Sequence, residues 1–75
     1  MIKKVYIFNY YNEGELVDTK VSDSYDNLLS YFKNKIDDFY DDIDFTVEAI
    51  AEMKASNRVE IEIEDIFEIV ESEFI

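Results

Sequence analysis

The chain has 75 residues and a formal net charge of -12, and it contains no cysteine, histidine or proline. A chain of this length forms at most one domain, residues 1–75, which buries only about 60% of the surface that the unfolded chain exposes. The missing cysteine and histidine exclude disulfides, the common structural zinc sites, thiol nucleophiles and imidazole acid–base catalysis. Because 48% of the residues are hydrophobic, we expect a folded domain and not a disordered acidic tail.

The first segment predicts a β-hairpin. Val5 to Phe8 form an apolar run that is typical of an interior strand, and Tyr10 and Tyr11 extend it. This run is too short for a signal-peptide core or a membrane span, so we expect a soluble, intracellular protein. Asn12-Glu13-Gly14 predicts the loop, with Gly14 at positive φ, and Leu16 to Val21 predict a half-solvated partner strand whose odd- and even-numbered residues face opposite ways.

The strongest helical pattern runs from Tyr25 to Ile43, after N-cap candidates in Ser22 to Ser24. Apolar residues recur there every three or four positions, which places them on one stripe of a helix. These residues are Tyr25, Leu28, Leu29, Phe32, Ile36, Phe39, Tyr40 and Ile43. A helix of this length crosses a small domain, so we expect the rest of the chain to pack against it.

A second, shorter helix is predicted to begin at Thr46 as its N-cap and to end at Asn57 in the left-handed conformation. Phe45 and Ile50 would then form a hydrophobic staple across its start. We expect its inward residues to be Val47, Ile50 and Ala51.

Residues 59–64 alternate strictly, with Val59, Ile61 and Ile63 toward the core and three glutamates on the other face. Residues 66–74 alternate poorly as a strand but cluster on one side of a helical projection, so they predict a last short helix. The sequence therefore predicts an α+β domain in the order β-β-α-α-β-α, with a small antiparallel sheet packed on the long amphipathic helix.

The charge is distributed unevenly along the chain. Residues 1–35 contain five basic and five acidic groups, whereas residues 36–75 contain fourteen acidic groups against Lys54 and Arg58. Since self-repulsion destabilises a compact state, an imbalance of this size in a small domain points to a use for it.

The carboxylates of the second half form rows on three predicted elements. Along the predicted strand, Glu60, Glu62 and Glu64 would stand about 6.7 Å apart, a spacing comparable to that of neighbouring phosphates on a nucleic-acid strand. Such a surface can occupy a basic groove that is built for DNA or RNA, with a salt-sensitive attraction. The candidate partner-binding residues are Asp37, Asp38, Asp41, Asp42, Asp44, Glu48, Glu52, Glu60, Glu62, Glu64 and Tyr31.

Other interpretations of the same residues stay open. The glutamate face could be solvated and neutralised by Lys3 or Lys20 across the ladder, and Tyr10, Tyr11 and Tyr31 could be ordinary amphipathic cover. Residues 37–44 could be a solvated helix end or a Ca²⁺ or Mg²⁺ site, but they lack the spacing and the glycine of an EF-hand loop. No phosphate loop, nucleophile elbow or metal triad is present, so we expect no enzyme, no cofactor and no metal.

In size, acidity and layout the whole chain resembles small anti-defence proteins of phages, which include anti-CRISPR proteins, anti-restriction proteins and inhibitors of uracil-DNA glycosylase. Several of these act as DNA mimics. The resemblance implies a non-enzymatic inhibitor in the cytoplasm of a bacterial host cell. Heavy use of Ile, Lys, Asn, Tyr and Asp suggests an AT-rich genome, and on that ground the resemblance to anti-CRISPR proteins is preferred.

The leading hypothesis is an acidic DNA mimic that occupies the nucleic-acid-binding cleft of a basic protein such as an RNA-guided nuclease. It would bind neither nucleic acid nor membrane itself, and it would be a monomer or a small homo-oligomer. An antitoxin or immunity-type protein that neutralises a cognate partner through a shape-specific patch is the alternative, and it would depend more on the tyrosines and an apolar rim. A third hypothesis is an oligomer subunit or adaptor with an exposed apolar face on the last helix.

Overall fold

The computed structural model describes residues 3–74. It contains two helices and four strands in the order β1 (Lys3–Asn12), β2 (Glu15–Ser22), α1 (Tyr25–Tyr40), α2 (Ile43–Ser56), β3 (Arg58–Ile61) and β4 (Asp65–Phe74). The strands form one antiparallel sheet in the spatial order β2-β1-β4-β3. The prediction of an α+β fold with an antiparallel sheet is confirmed, but the last element is a strand.

The prediction of a helix over residues 66–74 is wrong. β4 pairs with β1 along its whole length, from Asn12 opposite Asp65 to Lys3 opposite Phe74. Phe67 and Ile69 are buried against the helices, whereas Val70 lies on the opposite face and is 41% exposed. The apolar residues alternate poorly because both faces of this strand carry them, and the long pairing with β1 overrides the helical pattern.

The acidic strand predicted over residues 59–64 is also shorter than expected. β3 ends at Ile61, and Glu62 (φ 55°) and Ile63 (φ 69°) adopt left-handed conformations in the turn that leads into β4. Ile63 is 87% exposed instead of inward. Turns with positive φ normally carry Gly, Asn or Asp. Glu62-Ile63 has none of these, so no turn is predicted at these residues.

The long helix ends at Tyr40 and not at Ile43. Asp41 is left-handed (φ 48°), and Asp42 is the N-cap of α2, where its side chain accepts hydrogen bonds from the backbone N–H groups of Asp44 and Phe45. The predicted N-cap at Thr46 is therefore wrong. Two other helix boundaries are confirmed, because Ser24 caps α1 and Asn57 ends α2 at φ 60°.

The inward face of α2 differs from the prediction as well. Thr46, Ala49 and Met53 are buried, while Val47 is 62% exposed and Ala51 is also exposed. Because α2 begins one turn earlier than expected and packs on both α1 and β3, a different side of the helix meets the core. Ile50 is partly buried against the core, as predicted.

The core lies between the helices and one face of the sheet. At its centre are the rings of Phe8, Phe32 and Phe67, with centroids 5.2–6.3 Å apart. The register Tyr10↔Asp18 and Phe8↔Lys20 turns the even-numbered residues of the middle of β2 toward the helices, and a bulge follows between Tyr10 and Tyr11. Among residues 3–74, no element covers the opposite side of the sheet, which we call the open face.

Candidate acidic interface

All three turns that join adjacent elements at the end of the sheet near Asn12 lie close together. Glu13 of the β1–β2 turn donates its backbone N–H to the carbonyl oxygen of Glu64 in the β3–β4 turn, at 2.9 Å. Gly14 in the first of these turns has φ 85°, as predicted. The α1–α2 turn reaches the same end, because Tyr40, the last residue of α1, hydrogen-bonds to Asp65 at the start of β4.

This convergence collects carboxylates from three separate segments of the chain, residues 13–15, 37–44 and 62–65. We call this end of the molecule the acidic pole and define it by ten residues, namely Glu13, Glu15, Asp37, Asp38, Asp41, Asp42, Asp44, Glu62, Glu64 and Asp65. Among the described residues, the ion pair between Lys33 and Asp37, with 3.7 Å between Nζ and Oδ2, is the one that reaches a carboxylate of the pole. The pole therefore carries a large excess of negative charge.

Asp65, at the start of β4, connects the acidic pole to β1 and to the end of α1 through hydrogen bonds to its carboxylate. Its Oδ1 accepts hydrogen bonds from the Tyr10 hydroxyl (2.8 Å) and the Asn12 amide (2.7 Å), and its Oδ2 accepts one from the Tyr40 hydroxyl (2.9 Å). Burial of Tyr40, together with this hydrogen bond, raises the pKa of its phenol well above the ordinary value, and nearby Glu62 adds to the rise. The Tyr40 phenol therefore stays neutral over the physiological pH range.

Two of the predicted interface residues also have structural roles. Asp37 accepts a hydrogen bond from the hydroxyl of buried Thr46 at 2.7 Å, which joins the end of α1 to the first turns of α2. Asp42 caps α2 through its side chain. Asp38, Asp41 and Asp44 are exposed. The pole thus combines carboxylates that define the corner between the helices with others that face solvent.

A groove between α1 and α2 opens beside these residues. It has a volume of about 410 Å³, and its lining residues are Lys33, Asp37, Asp41, Asp42, Ile43, Thr46 and Val47. Ile43 and Val47 are 77% and 62% exposed, and Phe39 near the end of α1 is 48% exposed. Solvent-exposed apolar side chains therefore lie next to the carboxylates of the pole.

The regular row of carboxylates lies on a helix instead of a strand. Asp44, Glu48 and Glu52 occupy every fourth position of α2, so they share one face with about 5–6 Å between successive Cβ atoms. All three are exposed. Glu48 and Glu52 line a cleft of about 100 Å³ together with Glu60 of β3. We call Asp44, Glu48, Glu52 and Glu60 the acidic stripe; it extends from the pole along the edge of the molecule.

The row Glu60, Glu62 and Glu64 does not exist as a strand face, because only Glu60 lies in β3 and the other two belong to the turn. Glu60 also pairs with Arg58, with 2.6 Å between Oε1 and Nη2. Even so, the structure brings Glu60 to the stripe and the two turn glutamates to the pole. The expected 6.7 Å repeat is wrong, while all three residues remain on the acidic surface.

Tyr31 is partly buried, and both its hydroxyl and its ring make contacts within the domain. Its hydroxyl donates to Asp18 Oδ2 and its ring packs edge-on against Phe8. Lys35 pairs with the same carboxylate at 2.9 Å. The hydrogen bond from Tyr31 and the contact with Lys35 lower the pKa of Asp18. The tyrosine therefore anchors β2 to α1.

Sequence reasoning missed Glu13, Glu15 and Asp65 as members of the acidic surface. Glu13 and Glu15 flank the single glycine and belong to the half of the chain with balanced charge, so composition along the chain gave no sign of them. Asp65 directly precedes residues 66–74, for which the sequence predicts a helix. Only the pairing of β4 with β1 brings these three residues to the same end as the α1–α2 turn.

Neither a metal centre nor a membrane helix emerges within residues 3–74. No group of three or more Asp or Glu side chains there is arranged to hold a metal ion. Neither of the two described helices has the length and apolarity that a membrane crossing needs. Comparison with protein-family models, with curated proteins and with solved structures gave no match.

Proposed function

We propose that this protein is a non-enzymatic inhibitor whose acidic pole and acidic stripe occupy the nucleic-acid-binding cleft of a defence nuclease, in the manner of an anti-CRISPR protein. The observation that carries the proposal is the meeting of three turns at one end, which gathers ten carboxylates with a single described ion pair among them. Distant segments of the chain contribute to one charged surface, whose self-repulsion lowers the stability of the fold.

The mechanism is competition for a site. The stripe presents successive carboxylates about 5–6 Å apart along α2, and the pole adds a broad negative end to it. A groove lined with Lys and Arg, which normally receives a phosphate backbone, would attract this surface in the same salt-sensitive way. Complementary charge also accelerates encounter, so we expect fast association that slows as ionic strength rises.

The first experiment is affinity capture from a bacterial lysate on the immobilised protein, eluted with a salt gradient in the presence and absence of duplex DNA. The proposal predicts a nucleic-acid enzyme, such as an RNA-guided nuclease, that elutes as salt rises and that DNA displaces. A captured partner that has no nucleic-acid role, or that neither salt nor DNA displaces, would contradict it.

A pair of matched variants then locates the interface. Asp44→Asn, Glu48→Gln and Glu52→Gln together remove three charges from the acidic stripe, and they leave Asp42 and its cap intact. Asp26→Asn, Glu71→Gln and Glu73→Gln remove the same number of charges near the opposite end of the molecule. We expect the first triple variant to bind the captured enzyme more weakly and with a flatter salt dependence than the second.

A second candidate is an antitoxin or immunity-type protein, and the exposed apolar groove favours it. Ile43 and Val47 beside the carboxylates offer a shape-specific anchor for one apolar side chain of a cognate toxin. In that case Ile43→Ser should weaken binding more than the triple change on the stripe, and affinity should persist at about 0.5 M salt, where exposed charges are screened within a few ångströms.

A further inference from the structure

The open face of the sheet has an ordered pattern of its own. Its residues form rungs that cross the strands, and the register defines three of them. The first is Val21–Ile7–Val70, the second is Thr19–Asn9–Glu68–Arg58, and the third is Leu16–Tyr11–Ile66–Glu60. The first rung is apolar, the second is polar, and the third is apolar except for Glu60 at its end. Leu16 and Val21 are 54% and 62% exposed.

Residues of the polar rung form hydrogen bonds with other residues of the open face. Thr19 donates to Asn9 at 2.7 Å, and Glu68 Oε1 accepts from the Asn9 amide at 3.2 Å and from the Tyr11 hydroxyl at 3.1 Å. Arg58 lies opposite Glu68 in the register and pairs with Glu60. These hydrogen bonds pair the neutral polar groups of the face with one another, so the cost of covering it lies mainly at the charged groups Glu68, Arg58 and Glu60.

The open face is also nearly neutral on a strongly acidic molecule. Its rungs contain Arg58, Glu60 and Glu68, a net charge of -1, whereas the whole chain carries -12. A basic partner is attracted to the acidic pole and the acidic stripe, not here. The surface that suits this face is another apolar and nearly neutral one.

The size of the face matches an interface between two proteins. Its strands have 10, 8, 4 and 10 residues, which at about 3.3 Å per residue and about 4.8 Å between strands gives roughly 500 Å² in flat projection. The accessible surface is larger than this flat area, because side chains project from the sheet. A standard interface buries about 800 Å² of accessible surface on each partner. The apolar residues of the first and third rungs supply part of this area, and exposed apolar patches larger than a few hundred Å² commonly mark an interaction site.

We infer that a second copy of this chain covers the open face, forming an isologous dimer in which two sheets pack face to face with the helices outside. Face-to-face packing of sheets is a common architecture, with the layers about 10 Å apart. A second copy brings apolar rungs with the same spacing, as a two-fold interface requires. The acidic poles and Asp44, Glu48 and Glu52 of the acidic stripe stay outside this contact, so both copies keep them available; Glu60 alone of the stripe lies on the open face.

The dimer has a salt dependence opposite to that of partner binding. Two copies, each with a charge of -12, repel one another, and screening of this repulsion strengthens their association. Binding of a basic partner at the acidic pole weakens under the same conditions. Salt therefore separates the two surfaces, and either inference can fail without the other.

The test is sedimentation equilibrium of the full chain from micromolar to millimolar concentration, at about 0.1 M and about 0.5 M NaCl. Two variants each replace a valine whose exposed fraction is 62% in the wild type. These are Val21→Lys on the open face and Val47→Lys on α2. We expect the wild type and Val47→Lys to dimerise more strongly at high salt. Val21→Lys should weaken the dimer about a hundredfold or more, because it buries an unpaired charge.

Val70→Lys, at the other end of the same rung, serves as a second variant if Val21→Lys lowers the helical and strand content seen by circular dichroism. A wild type that stays monomeric over the whole range, or a dimer that Val47→Lys disrupts while Val21→Lys and Val70→Lys preserve it, would overturn the inference.

Discussion

Tyr40, the last residue of α1, donates a hydrogen bond from its hydroxyl to Asp65, the first residue of β4, with 2.9 Å between Oη and Oδ2. The two residues are 25 positions apart in the chain. Their contact fixes the α1–α2 turn against the two hairpin turns of the sheet. The acidic pole therefore depends on one carboxylate that is bound from three directions.

Asp65→Asn should lower the free energy of unfolding by about 2 kcal/mol, since hydrogen bonds to a charged acceptor are among the stronger ones. Asparagine has the same shape as aspartate, but its amide N–H₂ group would face at least one of the three donors that now bind the carboxylate, and that hydrogen bond would be lost. Urea unfolding followed by circular dichroism measures the change. Asp38→Asn removes the same charge from an exposed position and should change stability by less than about 0.5 kcal/mol. Equal losses in the two variants would contradict the structural role of Asp65.

The effect of Asp65→Asn should depend on pH. Burial acts to raise the pKa of Asp65, but the hydrogen bonds from Asn12, Tyr10 and Tyr40 outweigh it and lower the pKa below the ordinary value of 3.8. The stability that the ionised carboxylate provides is therefore complete above pH 3.8 and is lost as pH falls through the lowered folded value. Unfolding curves of both proteins should converge at the acid end of the series.

Ile63→Gly should raise the free energy of unfolding by about 1 kcal/mol, because a left-handed conformation costs a residue with a Cβ atom about 1–2 kcal/mol, and part of that gain is lost to the entropy of glycine in the unfolded chain. Ile63 has φ 69° and is 87% exposed, so little packing is lost. Ala51→Gly in α2 is the control and should destabilise by about 1 kcal/mol. A destabilised Ile63→Gly protein would show that the side chain packs against something.

Asp42 has two roles that substitution can separate. Asp42→Ala removes the cap of α2 and should cost about 1 kcal/mol of stability, whereas Asp42→Ser keeps a capping oxygen and should cost little. Both remove one charge from the acidic pole. If Asp42 binds the partner through its charge, both variants weaken binding equally while only the alanine variant loses stability. Titration calorimetry with the captured enzyme, beside urea unfolding, measures the two effects.

Added salt should stabilise the protein itself. With a net charge of -12, repulsion favours the unfolded chain, and screening reduces it. The midpoint of urea unfolding should therefore rise between about 0.05 M and about 0.5 M NaCl. The triple variant Asp44→Asn, Glu48→Gln and Glu52→Gln should be more stable than the wild type at low salt and should respond less to salt. A midpoint that falls with salt would show that ion pairs outweigh the repulsion.

Local patterns in the sequence were sufficient for several parts of this fold. Gly14 at a positive φ, an N-cap of α1 among the candidates Ser22 to Ser24, and Asn57 at the end of α2 follow from backbone preferences of single residues. The apolar stripe of α1 follows from its period, and Leu28, Leu29, Phe32 and Ile36 are indeed buried. These features depend on residues within one or two turns of each other.

The errors arose where neighbours in space outweighed neighbours in sequence. Residues 66–74 have a helical pattern, but β1 offers nine pairing positions to them, and the open face accepts Ile66 and Val70. Glu62 and Ile63 take left-handed conformations that their types disfavour, because β3 must turn back onto β4. Neither constraint is visible in a local window.

The sequence by itself determined the charge of the molecule, the presence of two helices, the apolar stripe of α1 and the first hairpin, because these depend on composition and on short-range periodicity. Only the tertiary structure decided that Glu13, Glu15 and Asp65 join the carboxylates of residues 37–44 at one end, and that an apolar face of the sheet stays uncovered within residues 3–74. The antiparallel strands and the up-and-down helices bring their turns to the same edge, and this topology places distant charges together.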